Sequence, residues 1–335
     1  MKIALVSMRW CKYGGWPTFK RHLFVGLTAA GAKVTALSVE SPAGARGWVQ
    51  KLKGSDALDH FDWVIVDVLP TAKVDNYDLL LTVAKVGRLA CVIHDPTEFQ
   101  VEVLRFLRTH QPPVIFIRPA VLEHTKARVL HRVVCLPHPY KRSYVGIPEL
   151  DCRSAVVSTS RVDYDKNTHL ILEAACGIQI HTGHINRMYE YHTLRSRFGL
   201  LKQSADYHGS FGNAATVLKK AFCLVDMSTI AGDGGGTQYT LLEAMDRGLW
   251  LVLHQGWFTV PDSELRVGEH CVTVQTAGQL RDVVQKLRDG WQPYDRGNYL
   301  PLLKRHGCRV VCRSLLRLLT GEVDFERREI LGFFA

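Results

Sequence analysis

Two stretches of the chain gather residue types that can hold an anion. The first, STSRVDYDKNTHLILEAA from Ser158 to Ala175, places Arg161 and Lys166 five residues apart where an apolar run gives way to a helical one. In a loop, at that spacing, both side chains can converge on one diphosphate. Arginine then grips two oxygens at once and lysine acts as a point charge. Asp163 and Asp165 between them can serve as plain ion-pair partners. The second stretch, AGDGGGTQYTLLEAMDRG from Ala231 to Gly248, sets three consecutive glycines ahead of a strongly helical run. Glycine costs roughly 0.5–1 kcal/mol relative to alanine in regular structure. The backbone there needs unusual dihedrals or must let something come close.

The run AFCLVDM ahead of those glycines reads as a strand, and YTLLEAMDRG behind them as a helix with Gly248 in the stop position. Strand, glycine loop and helix start together make an anion site, because free N–H groups and the helix dipole point at one spot. No Gly-Lys-Ser/Thr follows, so this is not a Walker A loop, and the spacing does not fit GxGxxG. A tight turn with no ligand is the plain alternative. Glu243 lies on the helix among Leu242, Ala244 and Met245, where a carboxylate needs a partner. A ribose with two vicinal hydroxyls would supply one, as would an N–H or arginine of the protein.

The elements that must position these residues alternate along the chain. KIALVS (2–7), KVTALSV (33–39), WVIVDV (63–68), ACVIHD (90–95), PVIFIR (113–118) and VVCLPHP (133–139) read as strands, with a helix at about Thr18–Ala30. Short Val/Ile-rich runs separated by helices predict a parallel sheet covered on both faces. LPHPYKRSYVGIPEL (136–150), with three prolines and no periodicity, reads as an interdomain linker. A second series follows: AVVSTS (155–160), a helix at His169–Cys176, IQIHTG (178–183), ADYHG (205–209), AFCLVDM (221–227), LWLVLH (249–254) and CVTV (271–274). GQLRDVVQKLRDG and RVVCRSLLRLLTG close the chain as helices by their apolar spacing. The expected fold class is α/β, with two doubly wound halves and a ligand cleft between them. The 335 residues fit two domains.

Hydrophobic residues make up 47% and charged residues 22%, which argues against extensive disorder. The apolar run at the N-terminus is too short for a signal peptide, and no run reaches the ~20 residues a membrane span needs. A cytoplasmic protein is expected. Nine scattered cysteines without a CxxC pair point to neither a disulfide framework nor a zinc ribbon. His181 and His184 in IHTGHIN complete no metal-ligand spacing, so no metal is expected. The net charge of +10 is lopsided. Residues 1–148 hold 20 Lys and Arg against 11 Asp and Glu, whereas 149–335 hold 22 against 21. The first part should therefore face something anionic, a nucleic acid or an acidic membrane surface, unless the cations are simply a solvated face.

Taken together, RxxxxKN…LxxA and GGGTQYTLLEAMxxG resemble the C-terminal half of retaining GT-B glycosyltransferases, the family that includes sucrose, glycogen and mannosyl transferases. The resemblance covers about residues 1–280 and is most specific over 155–255. It implies two Rossmann-like domains facing a central cleft. Residues 1–148 would receive the acceptor and 149–315 the nucleotide sugar, with 316–335 packing back toward the first domain. It implies that Arg161 and Lys166 grip the donor diphosphate, that the backbone of Gly234, Gly235, Gly236, Thr237 and Gln238 binds phosphate, and that Glu243 takes the ribose. Gly14 and Gly15 are similar to the family's N-terminal glycine loop. VIHDP matches the family's strand-end histidine, which puts His94 beside the donor sugar. The family's sugar-binding glutamate, eight residues before the helix glutamate, is Gly235 here. Either Asp233 substitutes for it or the sugar is contacted differently.

The implied activity is hexosyl or pentosyl transfer from a nucleotide-diphosphate sugar, a UDP-sugar foremost, with retention and no cofactor. Charge developing on the leaving diphosphate is met by fixed donors, and the leaving phosphate itself helps deprotonate the acceptor. Asp95 is a base candidate if the enzyme inverts, and otherwise caps the segment DPTEFQ. Lys12, Lys20 and Arg21, interleaved with Tyr13 and Trp16, suit a nucleic-acid backbone with an extruded base. The leading acceptor is thus a hydroxylated base in DNA, as in some phage genomes. A lipid or envelope glycan is the runner-up, and no stable protein partner is evident. A non-catalytic nucleic-acid or nucleotide-sugar binding protein is the alternative of another class, against which the intact Arg161, Lys166 and Glu243 set weighs. A dinucleotide oxidoreductase would need a glycine fingerprint after the first strand, which is missing.

Overall fold

Runs of Val, Ile, Leu and Ala too short for helices pair side by side and hide from water on both faces, as parallel strands must. The computed structural model describes residues 1–8, 10, 15–40, 49–67, 77–94, 98, 101–118, 132–210, 214–229, 237–258 and 264–322. These fall into two compact units, the first holding 1–141 with the stretch from Lys304, the second the residues from Arg142 to Leu303.

In the first unit β1 (Lys2–Ser7), β2 (Lys33–Ser38), β3 (Val49–Lys51), β4 (Trp63–Asp67), β5 (Leu89–Ile93), β6 (Val114–Phe116) and β7 (Val133–Cys135) form one sheet in the order β3-β2-β1-β4-β5-β6-β7. Every pairing is parallel. All five residues of β5 are buried. The order reverses between β1 and β4, whose carboxyl ends, Ser7 and Asp67, lie in register. Such a reversal opens a crevice where α/β sheets hold ligands. The helix Gly15–Ala29 follows β1, and the helix Cys308–Leu319 packs on it so closely that a Cβ on Gly26 would sit 2.4 Å from Cys312 Sγ.

In the second unit β8 (Ala155–Ser158), β9 (Ile178–Ile180), β10 (Ala221–Asp226), β11 (Trp250–His254) and β12 (Val272–Val274) give the order β12-β11-β10-β8-β9, again all parallel. Here the reversal lies between β8 and β10. The strand expected over 205–209 is reduced to a single bridge, Tyr207 to Ile180. The Ile180 N–H donates to the Asp206 carbonyl (2.7 Å), the His208 N–H to that of Ile180 (2.9 Å) and the Thr182 N–H to that of Gly209 (3.0 Å), where a left-handed backbone at φ 84° ends the pairing. Conversely, β3 has too short an apolar run to show in the sequence and forms because β2 offers it an edge.

The helix Tyr239–Asp246 joins β10 to β11 and buries Leu241, Leu242, Ala244 and Met245. Gly248, at φ 71°, ends it. Its N–H donates to the Met245 carbonyl (2.9 Å), and the Leu249 N–H donates to that of Ala244 (3.0 Å), which closes the last turn. A Cβ there would lie 2.5 Å from the Pro148 carbonyl oxygen, so only glycine fits. Buried Asp246 accepts from Arg142 Nε (3.2 Å) and the Ser143 N–H (2.7 Å), anchoring the start of the unit to this helix.

Candidate functional site

The loop after β8 and the loop after β10 meet at the β8/β10 reversal through three tethers. Asp226, buried at the end of β10, accepts from Ser160 Oγ (2.8 Å), from the Ser228 N–H (2.9 Å) and from Ser228 Oγ. The Thr229 N–H donates to the Asp165 carbonyl (2.8 Å). Asn167 takes a left-handed backbone at φ 43° and donates from Nδ2 to the Met227 carbonyl (2.9 Å). Asparagine tolerates that conformation better than most residues.

On this frame sit the two cations of the first motif. Arg161 pairs with Asp163 through Nε (3.3 Å) and with Asp165 through a terminal nitrogen (2.8 Å), and its side chain is 47% exposed. Lys166 is nearly buried, its Nζ 3.2 Å from Asp165 and 5.8 Å from the centre of the Trp257 ring. Asp163 also accepts from the Tyr164 N–H and Asn186 Nδ2, which shapes the turn between the cations. Trp257 in turn lines a small pocket with Asp226, Ser228, Gln238, Leu241 and Leu253. Gln238 is the cap residue of the helix Tyr239–Asp246, and its carbonyl takes the N–H groups of Leu241 and Leu242. Thr237 Oγ1 donates to Glu264 (2.9 Å), and half-buried Glu243 lies on the same helix. Arg161, Lys166 and the start of this helix therefore belong to one end of one sheet. Asp233, Gly234, Gly235 and Gly236 lie outside the described residues.

The first unit carries a second polar group at its own reversal. Lys20 Nζ donates to Ser7 Oγ (2.6 Å) and lies 3.0 Å from Asp67 Oδ2, while His94 Nε2 contacts Asp67 Oδ1. All four residues are buried. The His94 ring meets Phe19 edge-on at 4.6 Å, and Lys20 stands 5.3 Å over Trp10. Burial pushes the Asp67 carboxyl up, but Lys20 and then His94 outweigh it and hold it at about 2. Lys20, expected at an acceptor surface, is instead turned inward, because its neighbours Phe19 and Leu23 bury that face of the helix. Arg21 is exposed. Gly15 and Trp16 open the helix Gly15–Ala29, whereas Lys12, Tyr13, Gly14 and Asp95 lie outside the described residues.

Sequence reasoning passed over Asp67 and Asp226. Each is the last residue of an apolar strand, the one signal that could have found them, since strand ends at a sheet reversal are where polar side chains gather. Among the described residues no group of three or more His, Cys, Asp or Glu is placed to hold a metal ion, and no helix is long and apolar enough to cross a membrane.

No family model and no curated protein matches the chain. Solved structures do. An alpha-glucosyltransferase in complex with UDP-glucose and DNA containing an abasic site superposes with a TM-score of 0.73 at 12% identity, over 96% of this chain and 99% of that one. Anabaena Alr3699/HepE in complex with UDP-glucose gives 0.67 at 12% identity, over 96% and 100%. The lipopolysaccharide outer core galactosyltransferase WaaB in apo form gives 0.58 at 13% identity, over 96% and 100%. At these identities the likeness is one of fold, and the α/β, GT-B class expected from the sequence is the fold the chain has.

Proposed function

We propose that the chain is a glycosyltransferase that moves a hexose or pentose from a UDP-sugar to an acceptor hydroxyl, with retention, and that the acceptor is a hydroxylated base in DNA. The observation that carries this reading is the grouping of Arg161, Lys166 and the start of the helix Tyr239–Asp246 at the β8/β10 reversal. Two cations and a helix start at one sheet end suit a diphosphate. As the glycosidic bond breaks, the diphosphate gains charge, and donors already in place lower the barrier without reorganising. Arg161, Lys166 and the backbone from Gly234 to Gln238 supply those donors. Glu243 takes the ribose, His94 lies beside the donor sugar, and Asp233 stands in for the sugar-binding acid that Gly235 replaces. The leaving phosphate assists deprotonation of the acceptor, so Asp95 need not act as a base.

The DNA acceptor is supported by the basic excess of residues 1–148, where Arg21, Arg105, Arg108 and Arg132 are exposed, and by the DNA bound to the similar alpha-glucosyltransferase. Lys12, Tyr13, Trp16 and Arg21 are the proposed contacts; Lys20 is not, since its Nζ is turned inward onto Ser7 and Asp67. A lipid or envelope glycan is the second reading, favoured by a surface segment of the second unit. There Met188 and Tyr191, each 59% exposed, stand among Arg187, Arg195 and Arg197, with Arg195 over the Tyr191 ring. Basic and apolar groups so mixed suit an anionic headgroup layer.

The test is a panel of UDP-sugars offered with hydroxymethylated DNA, unmodified DNA and lipopolysaccharide, with products weighed by mass spectrometry and the new anomeric linkage read by NMR. The expected product is hydroxymethylated DNA heavier by one sugar per modified base, in the donor's anomeric configuration. Transfer to lipopolysaccharide alone would move the second reading ahead. Absence of both transfer and donor hydrolysis with every sugar would overturn the proposal.

A further inference from the structure

Asp67 ends β4, and its two oxygens have different partners: Oδ2 forms an ion pair with Lys20 Nζ at 3.0 Å, and Oδ1 meets His94 Nε2. Lys20 is itself held by Ser7 Oγ at the end of β1 and by the helix Gly15–Ala29 that carries it, so the carboxylate cannot turn away from it. An ionised carboxylate only accepts hydrogen bonds. The ring nitrogen that touches it must therefore carry the proton, which leaves Nδ1 of a neutral ring as the acceptor. Phe19, edge-on at 4.6 Å, restricts rotation of the ring.

We propose that Asp67 is the positioning residue for His94, fixing it in the Nε2–H tautomer with Lys20 as the counter-charge that keeps the carboxylate in its accepting form. The role rests on the reading that places His94 beside the donor sugar. Within it, the triad sets which ring nitrogen offers a lone pair and which offers a proton at the reacting end of the sheet. Neither Asp67 nor Lys20 touches substrate; both act through the histidine.

The geometry gives Asp67→Asn a specific consequence. Lys20 is a pure donor, so the carboxamide turns its oxygen toward Lys20 and its NH2 toward His94. Nε2 must then accept, and the tautomer inverts. Removing Lys20 as well, in the pair K20M/D67N, frees the amide to turn its oxygen to the histidine and restores the Nε2–H form. The experiment is ring 15N NMR of histidine-labelled full-length protein, alongside kcat for transfer and the Kd for UDP. D67N is expected to show the inverted tautomer and a kcat lower by about 10²–10⁴-fold, with UDP affinity held within about twofold. K20M/D67N is expected to recover the original tautomer and at least tenfold of the lost rate. A purely structural role would give no such recovery. If D67N does not fold, K20M/D67L removes both charges and leaves the histidine without an acceptor, and loss of a single tautomer is then expected. A folded D67N with the parent's tautomer and the parent's kcat would overturn the proposal. If the parent chain transfers no sugar at all, the functional reading fails while the tautomer measurements still decide the role of Asp67.

Discussion

The two sheet reversals use the same topological device and load it differently. At β1/β4 the charges of Lys20 and Asp67 are buried, matched and locked to a histidine. At β8/β10, Arg161 is half exposed, pairs with Asp163 and Asp165, and shares Asp165 with Lys166. Ion pairs to a half-exposed arginine contribute little, with a median of roughly 0–1 kcal/mol. They can be exchanged for another anion at small cost, whereas breaking a buried pair leaves a stranded charge. Closed polar groups thus orient, and open ones are free to bind. The same sheet end can do either, and the difference lies in how many of its charges are already matched out of water.

That contrast predicts that half-exposed Arg161 in the second unit matters for activity and hardly for stability, and that the buried charges of the first matter for both. In the second unit the largest effect is expected for Lys166→Met, a loss of transfer rate on the order of 10²–10³-fold. Arg161→Ala should show a similar loss with stability changed by less than about 0.5 kcal/mol, read as the shift in urea midpoint. In the first unit, His22 is buried beside Arg21 and bonded to the Pro139 carbonyl. Burial first, then Arg21, lowers it to about 4. Its folded value lies below its unfolded one of 6.5, so its contribution is complete above pH 6.5 and is lost as pH falls through 4. About 3 kcal/mol should disappear over that window, and His22→Gln should flatten it in urea titrations at pH 7 and 4. Asp67, lowered from 3.8 to about 2, keeps its contribution through that window and loses it only below, so the two groups separate on the pH axis.

Stability in the second unit should instead answer to backbone closure. Gly248→Ala is expected to cost about 2 kcal/mol, from the left-handed backbone and the close Pro148 carbonyl. A smaller cost than at Gly248 belongs to Thr276, whose side chain accepts the Gln279 N–H while Gln279 reaches back to the Thr276 N–H. Thr276→Ala should cost about 1 kcal/mol in thermal or urea unfolding. Loss of stability at Arg161 as large as at Gly248 would erase the contrast between the units.

Much of the fold was legible because the signal is local. KIALVS (2–7) and WVIVDV (63–68) each centre on an apolar run and correspond to β1 (Lys2–Ser7) and β4 (Trp63–Asp67), and Gly248 marks a helix end by its own conformational freedom. The pair Arg161 and Lys166 was visible as a motif because its members are neighbours in the chain. The group around Asp67 was not: it joins Ser7, Lys20, Asp67 and His94, four elements that meet only when the sheet forms. Lys20 misled for a related reason. A lysine next to Arg21 looks solvated, yet helix periodicity sets it on the face of Phe19 and Leu23. Asp226 escaped notice because its partners, Ser160 and Ser228, are ordinary loop residues until the tethers close.

Calorimetric titration of UDP into the parent chain, Arg161→Ala, Lys166→Met and Asp67→Asn bears most immediately on where the donor is held. The parent should bind UDP, the first two variants should bind it at least tenfold more weakly, and Asp67→Asn should bind it as the parent does. Equal UDP binding by the parent and by both β8/β10 variants, or none by the parent, would contradict a diphosphate site at Arg161 and Lys166.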